Sequence, residues 1–241
     1  MLKIDSQVLD TQDLIDLVRR LDLLPLLLLR QQEEALTALV QLPAQWLEEE
    51  RQRLLADQPL EAYLLQKGWI AEDFELHLKR PEALRLFAQQ RFGPGLEEKF
   101  LASKGARDQV IYSLLRVRDP GLARELWIRL EEGETTFAEA AALSEGPEAY
   151  RKGVMGPLAI GQLQPTLLAD WLYSLQPGEL RPPEPLGEWH VMVRLEQLTP
   201  ARLDAAMREQ LLKEELDHFL EARVQQILAG LQPEPFHYDQ H

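Results

Sequence analysis

Cysteine is absent from the sequence, which removes disulfides, thiolate metal sites and a thiol nucleophile together. Positive charge is scarce: 26 Lys and Arg stand against 40 Asp and Glu, a net charge of −14. A phosphate-backbone partner needs clustered Lys and Arg, so nucleic acid is not an expected partner. The same balance would repel an anionic membrane surface. No long apolar run is present either. The greasiest stretch, Leu23–Leu29, falls far short of the ~20 residues that a bilayer span requires. Residues Met1–Ser6 lack the basic and then apolar regions of a secretory signal, so the expected location is the cytoplasm, without membrane insertion. The glycines at Gly153, Gly156 and Gly161 are not followed by Lys-Ser or Lys-Thr, so they form no phosphate cradle. His77, His218, His237 and His241 have no ligand spacing with one another, and neither metal nor cofactor is expected.

What is there is ordinary globular material, 45% hydrophobic and 27% charged. The first hundred or so residues read as short amphipathic helices joined by prolines and glycines. Thr11 precedes the stripe Leu14, Leu17, Val18, Leu21; Pro25 suits the first turn of a second helix; Pro43 and Pro59 begin the next two. Gly68 stops the fourth, and the following helix is expected to break at Pro81. No period recurs, so a repeat solenoid is not indicated. From Arg107 to Leu198 the pattern changes. Val110–Val117 and Gly187–Leu198 read as strands, the second alternating Trp189, Val191, Val193, Leu195, and Gly178–Leu180 as a short third. Helices are expected at Pro120–Glu132, at Phe137–Ser144 and from Pro165, with turns at Gly153–Gly161. The order is β-α-α-turns-α-β-β. Pro200 then opens a long helix ending near Gly230, and the last residues read as a disordered tail.

Several phrases of the middle stretch resemble the parvulin family of peptidyl-prolyl isomerases. Glu132-Gly133-Glu134 followed by Phe137-Ala138-Glu139-Ala140-Ala141 resembles its short helix, glycine and F-A-E-L-A sequence, and Ser144-Glu145 follows as in the family. Gly153-Val154-Met155-Gly156-Pro157-Leu158 is similar to the G-G-D-L-G-x-F turn, Gln176-Pro177-Gly178-Glu179-Leu180 to L-x-x-G-E-[VI], and Gly187-Glu188-Trp189-His190-Val191 to the final G-[WY]-H-[IV]-[IV] strand. Lys67-Gly68-Trp69-Ile70 and Asp73-Phe74 resemble a stretch in the N-terminal domains of SurA-like chaperones.

The resemblance implies an α+β fold: a parvulin-like small antiparallel sheet with flanking helices, inserted in an all-α SurA-like or trigger-factor-like domain that the C-terminal helix completes. The expected divisions are 1–105 (helical, chaperone-like), 106–198 (parvulin-like), 199–230 (C-terminal helix packing on the first region) and 231–241 (tail). It also implies a substrate cup, which falls on Met155, Leu163 and Leu167 with Leu158 as its wall; all four are apolar here. The family's polar cluster falls on Ser113, Gly146, Leu186 and Trp189, none of which reproduces it. His190 lies one step beyond Trp189. Neighbouring strand residues face opposite ways, so His190 enters the cup only if a bulge intervenes; otherwise Trp189 fills the cup and His190 faces out.

Three functions follow from the resemblance. The first is a chaperone or peptide-binding protein with weak or no isomerase activity. The second is an active peptidyl-prolyl isomerase that assists folding or secretion. The third is a fold that docks one specific protein. Clients would be unfolded or proline-containing polypeptides.

Overall fold

The computed structural model describes residues 2–4, 7–56 and 58–240. In chain order the strands and α-helices are β1 (Leu2–Ile4), β2 (Gln7–Leu9), α1 (Thr11–Arg20), α2 (Leu24–Leu39), α3 (Ala44–Leu55), α4 (Leu60–Lys67), α5 (Ala71–Phe92) and α6 (Leu96–Arg107). There follow β3 (Gln109–Val117), α7 (Pro120–Glu131), α8 (Phe137–Ala140), β4 (Val154–Ala159), α9 (Thr166–Ser174), β5 (Glu184–Leu186), β6 (Trp189–Thr199) and α10 (Ala205–Leu228). They divide into two units, one of residues 1–97 with 204–241 and one of residues 98–203.

In the first unit β1 and β2 pair antiparallel and the other regular elements are helices. The core lies where α2, α5 and α10 meet: Leu36 and Val40 pack with Ala83, Phe87 and Ala88 and with Leu216 and Leu220. Helix α5 runs unbroken through Pro81, contrary to the expected break. A proline inside a helix costs about 3 kcal/mol. Phe74, Leu78 and Phe87, each 1% exposed, lie on both sides of it, and burying such side chains contributes ~1.5–3 kcal/mol apiece, enough to hold the helix together. Helix α10 starts cleanly because Asp204 Oδ1 accepts from the Met207 N–H at 2.8 Å. Asp204→Ala is expected to lower stability by ~1 kcal/mol, read as a small fall in the thermal midpoint, with Asp204→Asn close to the parent.

The C-terminal tail is a correction to the sequence reading. Residues 231–240 carry no regular secondary structure but are not free, because Phe236 and Tyr238 pack against the α2–α5–α10 core. A tail without helical periodicity still finds order when its aromatic rings reach a hydrophobic cluster. Residue 241 lies outside the described residues.

In the second unit the sheet order is β4-β3-β6-β5, all neighbours antiparallel. This is the small antiparallel sheet that the sequence led us to expect. Two details differ. The Gly-Pro segment expected as turns carries an edge strand, β4, and the third strand is Glu184–Leu186, with Leu180 forming only an isolated bridge to Arg194. An edge position tolerates Pro157 and Gly156, which a central strand would not. One sheet face packs on α9 through Leu168, Trp171 and Leu172; the other packs on α7 and α8 through Ala123, Leu126, Phe137 and Ala140. The two ends of the unit are tied together: Asp108, 8% exposed, accepts from the Ala201 N–H at 2.8 Å.

Candidate functional site

Strand alternation decides which side chains meet. On the α9 face β3 presents Tyr112, Leu114 and Arg116, opposite Leu195, Val193 and Val191 of β6. Trp189 continues that row and packs against the same cluster, as do Met155 and Leu158 of β4 and Leu163, which is 4% exposed. Met155, Leu158 and Leu163 therefore pack on the same cluster as Trp189 but at its other end: Leu158 and Met155 stand beside Val110 and Tyr112, whereas Trp189 follows the His190–Val117 pair at the far end of β3. Leu167 does not join it: at 43% exposure it lies on the outer side of α9. On a helix Leu168, Trp171 and Leu172 share a face at spacings of three and four, and the residue before Leu168 is turned away from it.

Ser113 and His190 are on the opposite face. Ser113 pairs with Arg194 and His190 with Val117, and between them Leu115 and Met192 pack toward α7 and α8. Ser113 is 1% exposed and its Oγ donates to Glu196 Oε1 at 2.5 Å, where Arg194 Nε also donates at 2.8 Å. Its hydroxyl is thus part of a structural network and does not face the cup. The bulge that would turn His190 inward is not formed, because β5 and β6 pair continuously as Leu186↔Trp189, Pro185↔His190 and Glu184↔Val191. The register shift in β3 falls instead between Ile111 and Tyr112. It changes which β3 residues share a face with Trp189, and sequence spacing alone gave no sign of it.

Sequence reasoning also missed the polar neighbours of Trp189. Arg116 grips Glu148 with a two-pronged contact, Nε to Oε1 at 2.9 Å and Nη2 to Oε2 at 2.8 Å. Glu148 is 1% exposed. Ser144 Oγ donates to Glu148 Oε1 at 2.6 Å and accepts from the Arg116 N–H at 3.0 Å, which links β3 to the loop after α8. Gly146 is necessary here, since a Cβ would sit 2.1 Å from Arg116 Nε. The missing side chain at 146, an apparent loss of function in the sequence, makes room for this ion pair. Burial pushes the Tyr112 phenol above its usual range, with the Glu148 carboxylate adding to the effect and Arg116 opposing it. The guanidinium carbons of Arg116 and Arg118 lie 5.6 and 4.3 Å from the Trp189 ring centroid. Arg118 is held by Glu145 and Glu188, each at 3.2 Å. The signal available in the sequence was Ser144-Glu145-Gly146 itself; its partner Arg116 lies 32 residues from Glu148, beyond any local pattern.

Chemically, this face carries an apolar cluster at the Val110 end of β3 and, at the Val117 end, a tryptophan held under two guanidinium groups. The Glu148 carboxylate is already engaged by Arg116 and Ser144. Among the described residues no group of three His, Asp or Glu side chains is placed to hold a metal ion.

Residues 121–197 match the family described as Rotamase, PPIC-type PPIASE domain. No curated protein matches the chain. The crystal structure of the peptidylprolyl isomerase PrsA from Bacillus cereus is similar with a TM-score of 0.50 at 16% identity, covering 97% of this chain and 92% of that one. PrsA from Bacillus anthracis gives 0.44 at 15% identity, over 84% and 96% of the two chains. A structure reported with PEB4 and the periplasmic protein Cj1289, SurA-like chaperones of Campylobacter jejuni, gives 0.39 at 15% identity, over 94% and 87%. Residues 121–197 are a PPIC-type peptidyl-prolyl isomerase (parvulin) domain, in a chain whose fold is similar to that of PrsA.

Proposed function

We propose that this chain acts mainly as a chaperone or peptide-binding protein for unfolded or proline-containing polypeptides, with weak or no isomerase activity. One observation carries the reading. Met155, Leu158 and Leu163, where the family resemblance puts the seat, are apolar and pack on one cluster, while Trp189, under Arg116 and Arg118, stands on the same face and both Ser113 and His190 are on the opposite one. Rotation about an X–Pro bond meets a barrier of ~18–20 kcal/mol; desolvation alone lowers it in part, and polar groups directed at the imide lower it further. The seat supplies the first, and the Arg116–Glu148 pair is already occupied internally. The cytoplasmic location expected from the sequence gains no support from the similar structures, one of which is reported with a periplasmic protein. No helix among the described residues is long and apolar enough to cross a membrane.

The test pairs two assays on the full chain. Isomerisation of a proline tetrapeptide should run close to its uncatalysed rate, while aggregation of an unfolded client is suppressed. Met155→Asp, which puts a charge into the seat, should weaken suppression without unfolding the domain. A clear rate rise, lost in the same variant, would replace this reading with that of an active isomerase. The specific feature favouring that second reading is the Tyr112 phenol, on the cup face and beside Glu148. Capture of a single partner without suppression of unrelated clients would point to a dedicated docking protein.

A further inference from the structure

The C-terminal tail lies in a groove that reads it as a peptide. Phe236 enters a nest of rings, with centroids 5.9 Å from Phe87 and 6.1 Å from Phe219. Arg223 closes over it, its guanidinium carbon 3.9 Å from the Phe236 centroid, while Arg223 Nη1 donates to the Glu234 carbonyl at 2.7 Å. Tyr238, two residues on, is also half-buried, whereas His237 and Asp239 are exposed. That alternation is the footprint of an extended segment with one face down.

The strongest indication is Gln90 on α5. Its side-chain amide donates to the Asp239 carbonyl at 2.7 Å and accepts from the Asp239 N–H at 3.1 Å. A side-chain amide that satisfies both main-chain groups of one residue holds backbone regardless of the side chain there. Affinity from main-chain bonds with pockets for alternate side chains is how extended peptides are recognised on sheet edges, and here a helix residue provides it. The groove also continues past its occupant. An open volume of about 770 Å³, lined by both α5 and α10, remains beside Tyr238 and Asp239.

We propose that the groove between α5 and α10 is a binding site for an extended, aromatic-bearing polypeptide segment, occupied in cis by the chain's own residues 233–240. The tail is a resident competitor. Any segment arriving in trans has to displace it, and a tethered tail competes at an effective concentration on the order of mM. This site is separate from the cup in the parvulin domain and does not depend on it.

The probe is a synthetic, fluorescently labelled peptide with the sequence of Leu231–Gln240. The intact chain should bind it weakly. Phe236→Ala loosens the resident tail, so this variant should bind the same peptide far more tightly, and adding Gln90→Ala should abolish the gain. In the unaltered chain, chymotrypsin should cut slowly after Phe236 and Tyr238, and a large excess of unlabelled peptide should speed those cuts severalfold. Met155→Asp should leave every one of these readouts unchanged, which separates failure here from failure of the proposed cup function. If a folded Phe236→Ala variant does not bind the peptide and excess peptide does not expose the tail of the unaltered chain, the idea is overturned. It is equally overturned if Phe236→Ala unfolds the protein while the unaltered tail stays protected against excess peptide, since the tail is then a fixed part of the core.

Discussion

Arg116→Met is expected to destabilise the parvulin domain by about 3–5 kcal/mol, the cost typical of removing one member of a buried ion pair. Glu148 is 1% exposed on its side-chain atoms, whereas Arg116 is 29% exposed. Removing the arginine strands a carboxylate in the interior with Ser144 as its remaining hydrogen-bond donor. Removing the carboxylate leaves an arginine that already reaches solvent. The asymmetry is therefore the test: Glu148→Gln should cost clearly less than Arg116→Met. Denaturant unfolding, followed by circular dichroism, measures both. Equal losses, or a larger loss for Glu148→Gln, would show that the pair is solvated and that its burial does not govern the domain's stability. The effect also reaches the site, because Arg116 lies over Trp189.

Gly156→Ala is the second change with a large expected effect. Gly156 has φ +100°, and a Cβ there would lie 2.4 Å from the Val110 carbonyl oxygen. A non-glycine residue held in such a conformation costs ~1–3 kcal/mol before any clash. The clash is with main chain, which cannot rotate away as a side chain would. Strand β4 has to move off β3, taking Met155 and Leu158 with it. Gly178→Ala separates the two contributions, since Gly178 has a similar φ of +88° and open space around its Cβ position. The loss in Gly156→Ala beyond that in Gly178→Ala measures the close approach. Client protection should fall in the first variant and hold in the second. Equal losses would mean that the approach of β4 to β3 contributes nothing to the seat.

Much of the architecture was legible in the residues. Alternation at Trp189, Val191, Val193 and Leu195 places one face of β6 in a core, and helical spacing finds α2, α5, α7, α9 and α10 because their apolar residues recur with the helix period. Strand β4 was hidden because glycine and proline are turn signals wherever they occur. Only pairing with β3 reveals an edge strand. The tail was hidden for a related reason: a single Phe and a single Tyr among polar residues carry no period.

The sequence by itself determined most of the helices, the two long strands and the exclusion of thiol chemistry, because each depends on local composition and spacing. The tertiary structure alone decided which residues face one another. A one-residue register shift at Ile111 and Tyr112 settles which β3 side chains share the cup face with Trp189, and so moves Ser113 to the opposite side of the sheet. The Arg116–Glu148 pair and the seating of Phe236 are contacts between distant parts of the chain. Such contacts exist only once the backbone has brought their partners together, and no local pattern encodes them.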